Sequence, residues 1–477
     1  MDWPLHVALD RDSSVALFTQ LAGAVADGIR SGRLEPGDAL PGSRTLALTL
    51  GIHRNTAVAA YRELEAQGWI EVAGQTTRVA ARLPPGHGRG ETTGLAARTG
   101  FSVRRVRSRR VERPEVAFDL GGGLPDPRLV PRRELARAVG RTLRNPHSRA
   151  LEYGDPQGHP RLREQVARML VHTRGLSITA DDVLITRGSQ MALALVAHAL
   201  LQPGDAVAVE HLGYAPAWDA FEHAGGTLQS IDVDAHGLCV DALLEAPPPR
   251  AIYLTPHHQY PTTVTLDAGR RLRLLDWASR HRVALIEDDY DAEYHYDTQP
   301  VHPLAALDRS GVVIYIGTLS KVLAPGLRIG WVVAPPNLVE AMTRLRAAFD
   351  GQGGLPMEAA VAEMLEDREV QRHIWRTRRQ YAERRDALAE ALRVHLDGAL
   401  RFETPPGGLA LWARIEGRAS ADAWARRALE RGVRVSPGRR YTVDGRASPH
   451  LRIGFARHDV EELEAAVERL AACREPA

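Results

Sequence analysis

Gly317-Thr318-Leu319-Ser320-Lys321-Val322-Leu323-Ala324-Pro325-Gly326-Leu327-Arg328-Ile329-Gly330 holds the single lysine of a chain with 61 Lys plus Arg; the other sixty are arginines. Arginine substitutes for lysine on a solvated surface. It does not do so where a neutral primary amine must attack a carbonyl, because guanidinium stays protonated at any workable pH. The competing reading is one lysine surviving by accident. Against it stand the neighbours, with hydroxyls just before the amine and an arginine seven residues after it. Those are the groups needed to hold a phosphate beside an aldehyde.

At 477 residues the chain is too long for one ordinary core, and two or three domains are expected. Its 44% hydrophobic and 25% charged content are those of a globular protein. Cys239 and Cys473 lie far apart without a CxxC, which supports neither a disulfide framework nor a zinc site. No apolar run approaches membrane-span length and no secretory signal opens the chain, so a cytoplasmic, nucleoid-associated protein is expected, with no membrane partner. The net charge of +2 is unevenly spread: residues 1–81 carry −2, and residues 82–114 carry +7. The latter piece is rich in Arg, Gly, Pro, Ser and Thr without apolar periodicity, and reads as a flexible basic linker.

Leu17, Leu21, Val25 and Ile29 recur every four positions, marking an amphipathic helix that Gly32 stops. After a Pro36-Gly37 turn, Ser43 is expected to cap a short helix through Leu50. Gly51-Ile52-His53 leads into a second helix over about 54–67, with Ala57, Tyr61 and Leu64 inward and Arg54, Arg62 and Glu63 outward. Trp69 to Val72, Gly74-Gln75-Thr76 and Thr77 to Ala80 read as a hairpin. This is the layout of a winged helix-turn-helix, or else of a small helical protein-binding domain.

Leu40-Pro41-x-Ser43-Arg44, Ala47-x-x-Leu50-Gly51-Ile52-x-Arg54-Asn55-Thr56 and Tyr61-x-x-Leu64-x-x-x-Gly68 resemble the DNA-binding domain of GntR-family bacterial repressors over residues 10–81. The resemblance implies that Arg44, Arg54, Asn55 and Thr56 meet a double-stranded operator. His53 stands where the family usually has serine, which removes the usual cap of the recognition helix. The wing has Gln75-Thr76-Thr77-Arg78-Val79 instead of Gly-Thr-Phe-Val. An acidic DNA-binding head is a physical objection, since phosphate neutralisation dominates DNA affinity. The Arg104-Arg105-x-Arg107-x-Arg109-Arg110 cluster either lends charge to the duplex or is an ordinary solvated linker.

From Phe118 onward, helical stretches alternate with buried apolar runs: 183–186, 206–210, 251–255, 283–287, 312–316 and 329–333. Such alternation argues for a mostly parallel α/β sheet whose carboxyl strand ends face the ligand. Gly188-Ser189-Gln190 opens a helix after one strand and is either a phosphate seat or a plain cap. Glu287-Asp288-Asp289-Tyr290-Asp291 ends another. It could bind a divalent metal, although no clustered histidine accompanies it, or hold one carboxylate against a pyridine nitrogen. Tyr214 either stacks on a flat ring or packs in the core. Arg452 lies in an apolar strand, where a carboxylate partner from protein or ligand is the natural remedy.

Tyr153-x-Asp155-x-x-Gly158-x-x-x-Leu162-Arg163, Gly188-Ser189-Gln190, Glu210-x-x-Gly213-Tyr214, His258-Gln259-Tyr260-Pro261-Thr262, Asp288-Asp289-Tyr290, Ser320-Lys321 and Arg328 resemble, in order, the fold-type-I aminotransferases that use pyridoxal 5′-phosphate. The resemblance implies a Schiff base on Lys321, with no metal. Asp288 is placed on the pyridine nitrogen and Tyr290 on the phenolic oxygen, with Tyr214 against the ring. It places Ser189, Gln190, Thr318, Ser320 and Arg328 around the phosphate, and Tyr153 at the neighbouring subunit's phosphate in a homodimer. Arg452 takes the place of the arginine that grips an amino-acid carboxylate. Thr263 stands where a glycine normally follows, and His-Gln-Tyr replaces the asparagine-containing stretch.

The order of the two halves is similar to MocR-type regulators. The expected architecture is therefore α/β: a winged helix-turn-helix (10–81), a basic linker (82–115), and a fold-type-I pyridoxal-phosphate transferase domain (116–477) with a mostly parallel large-domain sheet and a smaller C-terminal α/β domain. The expected function is a transcription regulator sensing an amino compound, or pyridoxal phosphate itself, through an aldimine on Lys321, as a head-to-tail homodimer. The alternatives are an aminotransferase with a fused DNA-binding domain, and a regulator that has lost cofactor dependence.

Overall fold

The computed structural model describes residues 7–73, 76–83, 99–103, 108–109, 114–297 and 301–474. The chain divides into two compact units, Met1–Arg105 and Val106–Ala477. The expected turn at Gly74-Gln75, and Arg104, Arg105, Arg107 and Arg110 of the basic cluster, lie outside the described residues.

In the first unit α1 (Leu17–Arg30), α2 (Ser43–Leu50) and α3 (Arg54–Ala66) enclose a core of Leu21, Val25, Ile29, Leu46, Ala57, Tyr61, Leu64 and Trp69. Burying the apolar stripe of each helix against the others is what stabilises so small a body. Strands β2 (Ile70–Ala73) and β3 (Thr76–Val79) form the expected hairpin, with Ile70 opposite Val79. A short strand β1 (Ala39–Leu40), absent from the sequence reading, pairs with β3 to make three strands.

Two capping expectations are corrected. Ser43 is the first helical residue of α2, Gly42 is its N-cap, and no side chain caps that end. His53, expected to remove the cap of α3, supplies it: its Nδ1 accepts from the Asn55 N–H at 3.2 Å. A neutral imidazole nitrogen is an acceptor, so it satisfies one of the orphan donors much as a serine hydroxyl would.

The second unit is built on a seven-stranded sheet. Its strands are β4 (Val183–Thr186), β5 (Ala206–Glu210), β6 (Thr227–Ile231), β7 (Ala251–Leu254), β8 (Ala284–Asp289), β9 (Val313–Thr318) and β10 (Gly330–Val333), in the spatial order β4-β10-β9-β8-β7-β5-β6. All neighbours run parallel except β10, which is antiparallel to both β9 and β4. The edge strand β6 was missed because half-exposed Thr227-Leu-Gln-Ser-Ile231 lacks a continuous apolar run. Helices α4 (Ser189–Leu200) and α5 (Ala215–His223) follow β4 and β5.

The smaller C-terminal sheet comprises β11 (Leu400–Arg401), β12 (Ala410–Ile415), β13 (Ser436–Pro437) and β14 (His450–Gly454), and it packs on the long helix α6 (Glu369–Leu396). Among the described residues no helix is long and apolar enough to cross a membrane.

Candidate functional site

The carboxyl ends of β4, β5, β7, β8 and β9 gather polar side chains at one edge of the sheet, where backbone groups have no further strand to bond. After β9 comes Lys321, half-buried, whose Nζ donates to the Gly123 carbonyl at 3.3 Å. The Arg452 guanidinium packs on the same glycine, with Nη1 and Nη2 each 3.4 Å from where a Cβ would stand. Gly123 has φ 58°, so both crowding and backbone conformation call for glycine there.

The acidic run at the end of β8 divides its labour. Glu287 accepts the N–H groups of Leu304 (2.8 Å) and Ala305 (2.9 Å). Asp289 accepts from Arg174 Nε at 3.2 Å and the Tyr315 hydroxyl at 2.5 Å. Burial pushes its pKa up, but Arg174, His257 and the Tyr315 bond together outweigh that and hold it low. Asp291 bonds His258 Nδ1 at 2.8 Å. Asp288 accepts from the Tyr253 hydroxyl at 2.9 Å through Oδ2, and its buried Oδ1 has no partner. Burial pushes Asp288 up to about 7, against the Tyr253 bond that opposes the shift. Each carboxylate thus has its own partner, and among the described residues no metal-ligating cluster forms.

Tyr290 and Arg452 also carry buried atoms without a hydrogen-bond partner. The Tyr290 hydroxyl has none, and neither do Nε and Nη1 of Arg452, which is 1% exposed. The protein carboxylate partner that the sequence left open for Arg452 is replaced by an aromatic one: its guanidinium carbon lies 4.5 Å from the Tyr260 ring centroid. Tyr260 makes edge contacts with Tyr214, Tyr290 and Tyr441 at 5.6, 5.8 and 5.4 Å, which joins the aromatic groups into one wall.

At the other end, Gly188 (φ 78°) caps α4, whose first residues are Ser189 and Gln190. The Arg328 guanidinium lies over Gly188, 3.0 Å from its Cβ position, and donates to the Arg187 carbonyl at 2.6 Å. Thr318 Oγ1 and Ser320 Oγ are 3.0 Å apart. An open helix N-terminus, an arginine and adjacent hydroxyls form an anion seat. Gln190 turns its amide away, donating to the Pro216 carbonyl at 2.8 Å, so its offer to an anion is its backbone N–H. Tyr214 stands half-buried at the N-cap of α5. Tyr153 is 98% exposed and reaches none of this in its own chain. In the first unit Arg44, Arg54 and Asn55 are exposed and Thr56 half-buried, at the start of α2 and α3.

Residues to which the sequence reading gave no role hold the wall in place. Glu210, pushed up to about 7 by burial, accepts from the Thr255 N–H (3.1 Å) and hydroxyl (2.9 Å). Thr255 Oγ1 in turn accepts the Tyr260 N–H at 2.8 Å. Gln259 Nε2 donates to the Leu212 carbonyl at 2.7 Å, tying the Tyr260 loop to the Tyr214 loop. Tyr253 was hidden because Ala251-Ile-Tyr-Leu254 reads as plain buried strand. A polar residue at the penultimate position of such a run is the signal that was available.

Two of the orphaned atoms, Asp288 Oδ1 and the Tyr290 hydroxyl, together with the anion seat, are groups that pyridoxal 5′-phosphate would satisfy. Asp288 Oδ1 suits a ring N–H, the Tyr290 hydroxyl a phenolate oxygen, and the seat at Ser189 and Arg328 a phosphate.

A model of aminotransferase class I and II matches residues 127–470, and one of bacterial regulatory proteins of the gntR family matches residues 17–79. The chain is 31% identical over 471 residues to the probable rhizopine catabolism regulatory protein MocR of Rhizobium meliloti, covering 97% of this chain and 95% of that one. It is 32% identical to the 2-aminoadipate transaminase of Thermus thermophilus, over 79% of this chain and 94% of that one. Among solved structures, the kynurenine aminotransferase of Pyrococcus horikoshii, in complex with PMP, superposes with a TM-score of 0.70 at 30% identity, over 76% of this chain and 91% of that one.

Proposed function

Because the chain belongs to the aminotransferase class I and II family and joins that domain to a gntR-family head as MocR does, we propose that it is a pyridoxal-phosphate-dependent DNA-binding transcription regulator that senses an amino compound, or the cofactor itself, at Lys321. The observation that carries this reading is the similarity to MocR along 97% of the chain, head included.

When bound, pyridoxal 5′-phosphate supplies an electrophilic aldehyde and an electron-withdrawing ring. The chain's own groups do the rest. Asp288 Oδ1 accepts the ring N–H and keeps it protonated. Tyr290 donates to the phenolic oxygen. Tyr214 covers the ring. The N–H groups at Ser189 and Gln190, with Thr318, Ser320 and Arg328, hold the phosphate. Arg452, buried without a carboxylate partner, takes the carboxylate of an amino-acid effector. Tyr153, exposed in its own chain, reaches the phosphate of the neighbouring subunit in a head-to-tail homodimer. Arg44, Arg54, Asn55 and Thr56 contact the operator, and residues 82–115 link head to sensor. An effector alters DNA binding only by binding two arrangements of the dimer unequally.

Borohydride reduction of the purified full-length chain followed by mass spectrometry tests the cofactor reading, with a pyridoxyl adduct on Lys321 expected. Binding to the DNA upstream of its own gene is then measured with and without amino compounds. No adduct at any cofactor concentration overturns the reading. So do multiple turnovers of amino donor and keto acid with no effect of either on DNA binding.

A further inference from the structure

Arg109 belongs by sequence to the basic cluster expected either to lend charge to DNA or to remain solvated. In the structure its guanidinium is taken up by two carboxylates of the second unit. Its Nη1 donates to Asp219 Oδ1 at 2.7 Å and Glu222 Oε2 at 2.6 Å, and its Nη2 to Glu222 Oε1 at 3.1 Å. Its backbone N–H donates to Asp219 Oδ2 at 2.8 Å, so side chain and main chain grip the same carboxylate. The guanidinium carbon lies 5.8 Å from the ring centroid of Trp218, itself 1% exposed. Asp219 is 8% exposed, so this contact is screened less than a surface ion pair.

Asp219 and Glu222 both stand on α5, a nine-residue helix about 13 Å long. The other end of that helix is the site. Tyr214 is its N-cap, and its first turn is held by Gln190 Nε2 on the Pro216 carbonyl at 2.8 Å. Gly213 is wedged against Trp218, where a Cβ would come within 3.0 Å of Cζ2. One short rigid element therefore carries the ring and phosphate seat at one end and a linker arginine at the other.

We propose that the outer face of α5 is the docking surface of the interdomain linker, with Arg109 as its anchor on Asp219 and Glu222. The occupant of the Tyr214 and Gln190 seat thereby sets where the tether to the DNA-binding head begins. A few tenths of an ångström at Tyr214 move Asp219 as part of the same helix, and Arg109 follows or lets go. Release at Arg109 would lengthen the free tether by the residues up to about 115, on the order of 20 Å of extended chain. The anchor stands on the contacts alone, while the coupling rests on the proposed function.

Two measurements on the full-length chain test this. In limited trypsin digestion followed by mass spectrometry, cleavage after Arg109 should be at least about tenfold slower in the unaltered chain than in the Asp219→Asn/Glu222→Gln variant. Equal cleavage after Arg109 in the two overturns the anchor. Second, the ratio of affinities for its own promoter fragment is measured between pyridoxal-phosphate-loaded and cofactor-stripped protein. Arg109→Ala and the Asp219→Asn/Glu222→Gln pair should each load Lys321 as the unaltered chain does, yet shrink that ratio several-fold toward one. An unchanged ratio in both variants overturns the coupling. Weaker DNA binding in Arg109→Ala alone, with the salt slope reduced by about one, assigns the arginine to DNA and overturns the proposal. A ratio of one in the unaltered chain defeats the sensing function and the coupling with it, and the digestion pattern then decides the anchor by itself.

Discussion

The Tyr253 hydroxyl donates to Asp288 Oδ2 at 2.9 Å, which leaves Oδ1 as the one open oxygen of that carboxylate. The bond holds Oδ2 and favours the ionised form, so that buried Oδ1 is left as an acceptor. Tyr253→Phe keeps the ring in its strand and removes only the donor. A hydrogen bond to a charged group contributes about 1.5–3 kcal/mol, so pyridoxal-phosphate affinity should fall at least about tenfold with the fold unchanged. Titration of the stripped protein with the cofactor checks this; an unaltered affinity would show that the hydroxyl does not position Asp288.

Burial pushes Asp288 up to about 7. A carboxyl group raised on folding keeps its proton where the unfolded chain has lost it. Its stabilising contribution is complete below about pH 4 and is lost as pH rises through about 7. Asp288→Asn cannot ionise. The melting temperature of the cofactor-free variant, relative to the unaltered chain, should therefore rise between pH 5 and pH 7 and level off above about pH 8. Taking the difference cancels Glu287, also raised to about 7, and His257, which burial lowers to about 4, while Glu210, which Asp288 helps to raise, changes the difference in the same direction. A difference that is flat across that range refutes the assignment.

Thr263 has φ 67°, where a β-branched residue is strained, and it is 7% exposed. Its N–H and hydroxyl bond the Gln259 and Thr262 carbonyls at 2.7 and 2.6 Å, which holds the conformation. Thr263→Gly should be neutral or stabilising by up to about 1 kcal/mol, despite deleting a buried side chain. Chemical denaturation measures it, and a loss above about 2 kcal/mol would show that the hydroxyl matters more than the strain.

The His53 imidazole caps α3 through Nδ1. Its replacement by alanine should cost the DNA-binding unit about 1 kcal/mol, and His53→Ser should restore most of it. Calorimetry of the full chain, following the transition of the smaller unit, reads both. Equal stability of all three forms would mean the cap contributes nothing.

Arg452→Gln should weaken binding of amino acids at least about tenfold and leave amines without a carboxylate unaffected. Spectral titration of the loaded protein separates the two classes. A parallel loss for both would place Arg452 in cofactor retention instead.

Periodicity and strand-end chemistry made most of the architecture readable in advance. The apolar runs ending at Thr186, Glu210 and Glu287 pointed to a sheet with its polar groups at one edge, and all three lie toward that edge. What stayed hidden depends on partners distant in the chain. Arg109 and Asp219 are 110 positions apart, and no local pattern joins them. Tyr253 looked like strand filling because only its tip is polar. His53 was misjudged by residue type, since an imidazole cap is rarer than a hydroxyl one but uses the same lone-pair chemistry. The edge strand β6 lacked a run because one of its faces meets solvent.

With a single lysine in the sequence, whose Nζ rests on the Gly123 carbonyl, the molecule is its own occupancy gauge. Among its side chains an amine-selective acylating dye has one address. Labelling at that address should cease when the vitamin derivative is in place, giving a readout for screening metabolites that requires neither operator nor crystal.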